Sequence, residues 1–132
     1  MVVADTDVVS YLFKRHLLAQ AYSDLLVGHS VMISFMTVAE IEYGMESDGW
    51  GQNRREAMRS YLEGRFSTVY PDALAVKIWA EIVAGCERKG RSISHSDAWI
   101  AATAMRLGAP LVTHNATDYS AVGALTVLSH SG

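Results

Sequence analysis

Short apolar runs alternate along this chain with longer stretches of helical periodicity, and that alternation sets the first expectation. Val2, Val3 and Ala4 form an apolar run closed by Asp5, which predicts a buried strand. Thr6 or Asp7 then stands where a cap is needed, ahead of a helix with Val8, Val9, Leu12 and Phe13 on its apolar side. A second helix is predicted over 17–26. Gly28, His29 and Ser30 turn the chain into a strand at 31–33. Ser34 precedes a third helix carrying Met36, Val38, Ile41 and Met45, and Gly44 is expected to loosen its later part. A polar, glycine-bearing connection over 47–53 leads to a charged helix at 54–63, then to a strand at 67–70 ended by Pro71 and Asp72. The long helix that follows is expected to turn Leu74, Ile78, Ile82 and Val83 inward. Beyond a loop at 89–92, Ser94 and Asp97 have capping-box spacing ahead of a helix that packs through Ile100, Ala101, Ala104 and Leu107. Gly108 is the expected left-handed residue past its end, and Pro110 blocks continuation. The last strands are predicted at 111–113 and 125–128.

Short apolar strands separated by helices predict an α/β fold, with a central parallel sheet covered on both faces in three α/β/α layers. In such folds ligands gather beyond the carboxyl ends of the strands, above all where strand order reverses. The length of 132 residues fits one domain over 1–132, large enough to bury a core without disulfides. The one cysteine, Cys86, cannot bridge within the chain. With no basic and apolar leader and no long uncharged apolar run, the expectation is a cytoplasmic protein that does not cross a membrane.

The net charge of −3, from 11 Lys and Arg against 14 Asp and Glu, runs against non-specific nucleic-acid binding. Placement changes that picture. Arg54, Arg55, Arg59, Arg65, Lys77, Arg88, Lys89 and Arg91 crowd one segment, and Asp5, Glu40, Asp97 and Asp118 lie outside it. A metal held by those acids would reverse the local field.

Asp5 directly follows the first strand, Asp118 lies a few residues past the strand ending at 113, and Asp97 is in the first turn of its helix. Glu40 sits within the third helix, beside Met36 and Gly44 at the i, i+4 spacing. Carboxylates gathered at a sheet edge repel one another and lose hydration, so they need an opposite charge. Mg²⁺ supplies one, prefers hard oxygen ligands and keeps several waters. The chemistry that fits is phosphodiester hydrolysis, in which the ion acidifies a water and offsets charge on phosphate oxygens. Each acid also has a plainer reading: Asp7 and Asp97 as caps, Glu40 as a solvated helix residue, Asp118 as a loop acid. Thr6, Thr113 and Asn115 are candidates to support the acids, with local backbone bonding as the default. The histidines show no zinc spacing. Trp79 and Trp99 read as core or interface residues, whereas Trp50, in the glycine-bearing connection, is the best exposed candidate for stacking on a base.

Four blocks carry a resemblance. They are Val3-Ala4-Asp5-Thr6-Asp7, Thr37-Val38-Ala39-Glu40-Ile41-Glu42-Tyr43-Gly44, the run from Ile93 to Ala104 containing Ser94 and Asp97, and Leu111-Val112-Thr113-His114-Asn115-Ala116-Thr117-Asp118-Tyr119. In this order they resemble the PIN-domain family, and within it the VapC-like toxin nucleases of bacterial toxin–antitoxin pairs. The resemblance implies a PIN-like three-layer fold, with Asp5, Glu40, Asp97 and Asp118 as the catalytic and metal-binding acids and Mg²⁺ or Mn²⁺ as the cofactor. It makes Asp7 a candidate outer ligand and gives Thr6 and Asn115 supporting places. Tyr119 stands where the family commonly has phenylalanine, a change expected to preserve packing. It further implies cleavage of RNA, a transfer RNA or another translation-related RNA, together with a homodimer and neutralisation by a cognate antitoxin. Tyr11, Leu12, Phe13, Leu17, Leu18, Tyr22 and Tyr43 exceed what a small core must bury, which points to a twin subunit. Two other readings stay open: a nuclease of the same fold in RNA processing or DNA repair, and a non-enzymatic acidic interaction module.

Overall fold

A computed structural model describes residues 1–130. Its sheet has five parallel strands: β1 (Val2–Ala4), β2 (Val31–Ser34), β3 (Ser67–Val69), β4 (Leu111–Val112) and β5 (Val127–Leu128), in the order β3-β2-β1-β4-β5. The helices are α1 (Thr6–Lys14), α2 (Ala19–Leu26), α3 (Phe35–Ser47), α4 (Gln52–Arg65), α5 (Ala73–Arg88) and α6 (His95–Leu107), with a short 3₁₀ turn at Ala116–Tyr119.

The strand period of two divides the core between the two faces of the sheet. Val2 and Ala4 pack with Val8, Tyr22, Ile41 and Met58 of α1–α4. Val3, between them, packs with Ile82 and Cys86 of α5 and with Ala98, Ala101 and Ala104 of α6. Three layers follow, as the run of apolar strands predicted. The small alanines let α6 lie close to the sheet, and Gly108 ends that helix at φ 62° in the left-handed conformation that favours glycine.

Strand order reverses beside β1. From β1 the chain builds β2 and β3 on one side, and after α6 it returns to place β4 on the other. The turns after β1 and β4 therefore diverge and leave a crevice between them. Asp5 stands at its edge, its amide donating to the Val112 carbonyl at 2.9 Å.

Several local expectations need correction. The cap of α1 is Asp5, whose backbone is extended (φ −71°, ψ 160°) and whose carboxylate accepts the Thr6 amide, so Thr6 and Asp7 fall inside the first turn. Leu74 is 50% exposed because α5 turns Ala75 inward instead. Gly44 does not loosen α3, which runs on to Ser47. Of the apolar residues expected to exceed the core, Tyr22 is buried and Tyr11, Leu12, Phe13 and Leu18 pack against the core beside α1. Only Leu17 and Tyr43 of that group stay exposed. No helix among the described residues is long and apolar enough to cross a membrane.

Candidate functional site

Asp5 is at once a helix cap and the centre of the crevice. Its Oδ1 accepts the Thr6 amide at 2.7 Å, and its Oδ2 accepts the Thr113 hydroxyl at 2.8 Å and the Tyr119 hydroxyl at 2.9 Å. Burial, reinforced by the charge of Asp7, pushes its carboxyl up to about 7 despite those three donors. Tyr119, itself buried, also donates towards Asp97 Oδ1 at 3.3 Å and so joins an acid from β1 to an acid from α6. Burial and the neighbouring carboxylates push the phenol strongly upward, which keeps it a donor at any ordinary pH.

Glu40 reaches the same crevice from α3. Its Oε1 accepts the Thr6 hydroxyl at 2.7 Å, and the Thr6 and Thr37 hydroxyls lie 3.0 Å apart. Burial first, then the charges of Asp97 and Asp7, raise its carboxyl even though the Thr6 bond acts the other way. Asp97 is raised mainly by burial and also by Asp118 and Asp7. Ser94 accepts the Asp97 amide at 3.1 Å, and hydrogen bonds from the Ser94 side chain and from Tyr119 hold the Asp97 carboxyl lower than burial alone would set it.

Asp118, on the 3₁₀ turn, lines a shallow pocket with Asp97, Ser94 and Arg91. Asp7 is drawn to the turn after β4. Its Oδ1 accepts the Val8 amide at 2.7 Å, while its Oδ2 accepts the His114 amide and the Asn115 side-chain amide, both at 3.0 Å. The structure thus brings Asp5, Asp7, Glu40 and Asp97 around one crevice and sets Asp118 at its margin beside Asp97. Thr6, Thr113 and Asn115 each hold a named acid.

None of Asp5, Glu40, Asp97 or Asp118 forms an ion pair with lysine or arginine among the described residues. Nor do any three His, Cys, Asp or Glu side chains among those residues form a ready-made metal cage. Sequence reading missed two polar members: Tyr119, taken as a packing residue, and Thr37, buried beneath Thr6. A hydroxyl in place of the common phenylalanine was the available signal for the first, since a buried phenol needs a partner.

A parallel sheet with acids gathered at its reversal point defines the class. The PIN domain family model matches residues 2–125, and the chain belongs to the PIN-domain family. Within that family it stands among the VapC-like toxins of type II toxin–antitoxin pairs. Ribonuclease VapC1 of Haemophilus influenzae is 30% identical over 122 residues, covering 89% of each chain. VapC ribonuclease Y4jK of Sinorhizobium fredii is 30% identical over 131 residues, covering 93% of each. Among solved structures, VapBC-1 from nontypeable Haemophilus influenzae aligns with a TM-score of 0.79 at 28% identity, covering 98% of both chains.

Proposed function

We propose that this chain is a divalent-metal-dependent endoribonuclease that cuts a transfer RNA or another translation-related RNA in the cytoplasm and is silenced by a cognate antitoxin. The observation that carries this reading is the crevice itself. Asp5, Glu40 and Asp97 are gathered at the sheet's reversal point, pushed towards protonation and opposed by no lysine or arginine ion pair among the described residues. Family membership supplies the nuclease class.

The donor set suits a hard divalent cation, since it consists of carboxylate oxygens whose shared charge is unopposed. Among the described residues no three of the acids close into a cage. That arrangement fits an ion which keeps several waters in its shell, so that some of the acids reach it through them. Asp5, Glu40, Asp97 and Asp118 are the residues that would hold Mg²⁺ or Mn²⁺, and the ion supplies acidification of an attacking water and charge neutralisation at the phosphate.

The chain's own part is orientation. A carboxylate offers about four lone-pair directions. On Asp5, Thr113 and Tyr119 occupy both on Oδ2 and the Thr6 amide occupies one on Oδ1, so the direction left over lies on Oδ1. Thr6 holds Glu40 in the same manner, and the turn after β4 holds Asp7. A homodimer is supported by the exposed Leu17 and Tyr43, which the chain's own core does not cover.

Purified protein should cut RNA only with Mg²⁺ or Mn²⁺ present. Asp5→Asn and Asp97→Asn should abolish cutting while the melting transition is kept. Equal cleavage by wild type and both variants would sink the mechanism. Calorimetric titration with Mg²⁺ separates it from the interaction-module reading, because acids that serve only as caps take up no ion.

A further inference from the structure

A groove leads away from the acids between α1 and α3. Thr6, Ser10 and Lys14 recur every four residues along α1, and Glu40 and Gly44 do so along α3, with Asp48 one step further at its end. That spacing stacks side chains on one helix face. The two stripes face one another across the groove, which Trp50 closes at the far end. The Thr6–Glu40 hydrogen bond marks the near end. From Thr6 to Lys14 the helix rises about 12 Å. Gly44 leaves the wall between them open, since a Cβ there would meet nothing within 4 Å. The groove's volume is about 90 Å³, room for about three waters, so it does not enclose a base.

Two cations gather at Trp50. The Arg54 guanidinium carbon lies 3.7 Å from the indole centroid and Lys14 Nζ lies 6.0 Å from it, while Phe13 stacks against the same indole at 6.1 Å. Both cations are exposed. Arg55, Arg59 and Arg106 are engaged by Glu46, Glu42 and Asp72, but neither Lys14 nor Arg54 forms an ion pair among the described residues, Asp48 on the groove wall included. A guanidinium laid on an indole gives up freedom in advance and keeps its N–H edge for a ligand.

We propose that Lys14 and Arg54, held at Trp50, form a subsite for the backbone phosphates of the RNA strand at the far end of this groove. The inference rests on the RNA-cleaving function proposed above. Phosphates over the crevice are repelled by its acids, and cations placed two helical turns away retain the flanking strand without neutralising those acids. Because Arg54 already covers the indole, the contact is with the backbone and contributes affinity across sequences.

The test is a titration of the full chain with a fluorescently labelled, mixed-sequence single-stranded RNA at several salt concentrations, in an Asp97→Asn background that keeps the strand intact. The Lys14→Gln/Arg54→Gln double variant should bind about tenfold more weakly or worse, and the slope of log affinity against log salt should flatten by about 1.4, two contacts at about 0.7 each. In the cutting-competent background the loss should fall on KM and not on kcat. Lys14→Arg/Arg54→Lys, which keeps both charges, should restore most of the affinity. Unchanged affinity and slope in the double variant would overturn the subsite. Unchanged RNA affinity with loss of binding to a polyglutamate peptide would also overturn it, by assigning the cations to an acidic protein segment. Wild type that neither binds nor cuts RNA would remove the proposed function as well, a result distinct from wild type that cuts RNA with no help from Lys14 and Arg54.

Discussion

Glu40 and Glu42 lie two residues apart on α3, about 200° around the helix axis, and the two sides of that helix treat the same chemical group in opposite ways. Glu42 faces α4, where Arg59 grips it at two points, 2.7 and 2.9 Å, and holds its carboxyl below the usual range. Glu40 faces the crevice, where burial and the charges of Asp97 and Asp7 raise it. Asp72 and Asp5 repeat the contrast at a larger scale. The hydrogen bonds from Arg106 are the main reason Asp72 is lowered to about 2, and burial is the main reason Asp5 is raised to about 7. Glu42, Glu46 and Asp72, away from the crevice, are each paired with an arginine and serve the fold. The acids at the strand ends lack such partners at some expense in stability, the condition expected of groups kept for a ligand or a reaction.

The largest effect should come from removing a charge at the crevice. Asp5→Asn should lower RNA cleavage by about 100-fold or more, yet leave the melting temperature at pH 7 unchanged or raised, because the amide needs no hydration of a buried charge. Cleavage assays beside thermal melts check both parts, and a collapse of the fold would erase the distinction between the two kinds of acid.

Proton linkage sharpens the contrast further. Asp5 binds its proton more tightly folded than unfolded, so its contribution to stability is complete below about pH 4 and is lost as pH rises towards 7. With divalent ions chelated, this amounts to up to about 4 kcal/mol at about 1.4 kcal/mol per unit. Asp72 runs the other way, contributing above about pH 4 and losing that contribution as pH falls towards 2. Melting curves across pH in EDTA should show the alkaline loss, which Asp5→Asn removes and added Mg²⁺ offsets.

Tyr119→Phe should keep the ring's packing and remove the link between Asp5 and Asp97. Mg²⁺ affinity should drop by about 10- to 100-fold, the usual consequence of losing a group that orients a ligand, as read by calorimetry. The smallest effect should follow Glu42→Gln on the far side of α3. Cleavage should be unaffected and the melting temperature should shift by about 2 °C or less; a loss of activity there would dissolve the contrast between the two glutamates.

Much of this was legible in the linear pattern. The apolar runs marked the strands within a residue or two, Ser34 and Ser94 marked helix starts, and Gly108 marked a helix end, because these depend on neighbours close in sequence. The acids were legible as candidates from their places after strands. Less visible were roles that depend on contacts between distant segments. Asp5 became the cap in place of Thr6 or Asp7, Asp97 took on a hydrogen bond from the distant Tyr119, and Gly44 turned out to open a groove wall without breaking its helix. The aromatic excess of the early helices was largely absorbed by a core whose depth only packing reveals.

Residue order alone settled the alternation of strands and helices, the two-sided burial of β1 and the supply of carboxylates near strand ends, since hydrophobic period and chain stiffness act over a few residues. Which side of β1 receives β4, and with it the meeting of Asp5, Thr113 and Tyr119 across more than a hundred residues of chain, was settled by folding in three dimensions. Those contacts are short in space and remote in sequence, so no local pattern encodes them.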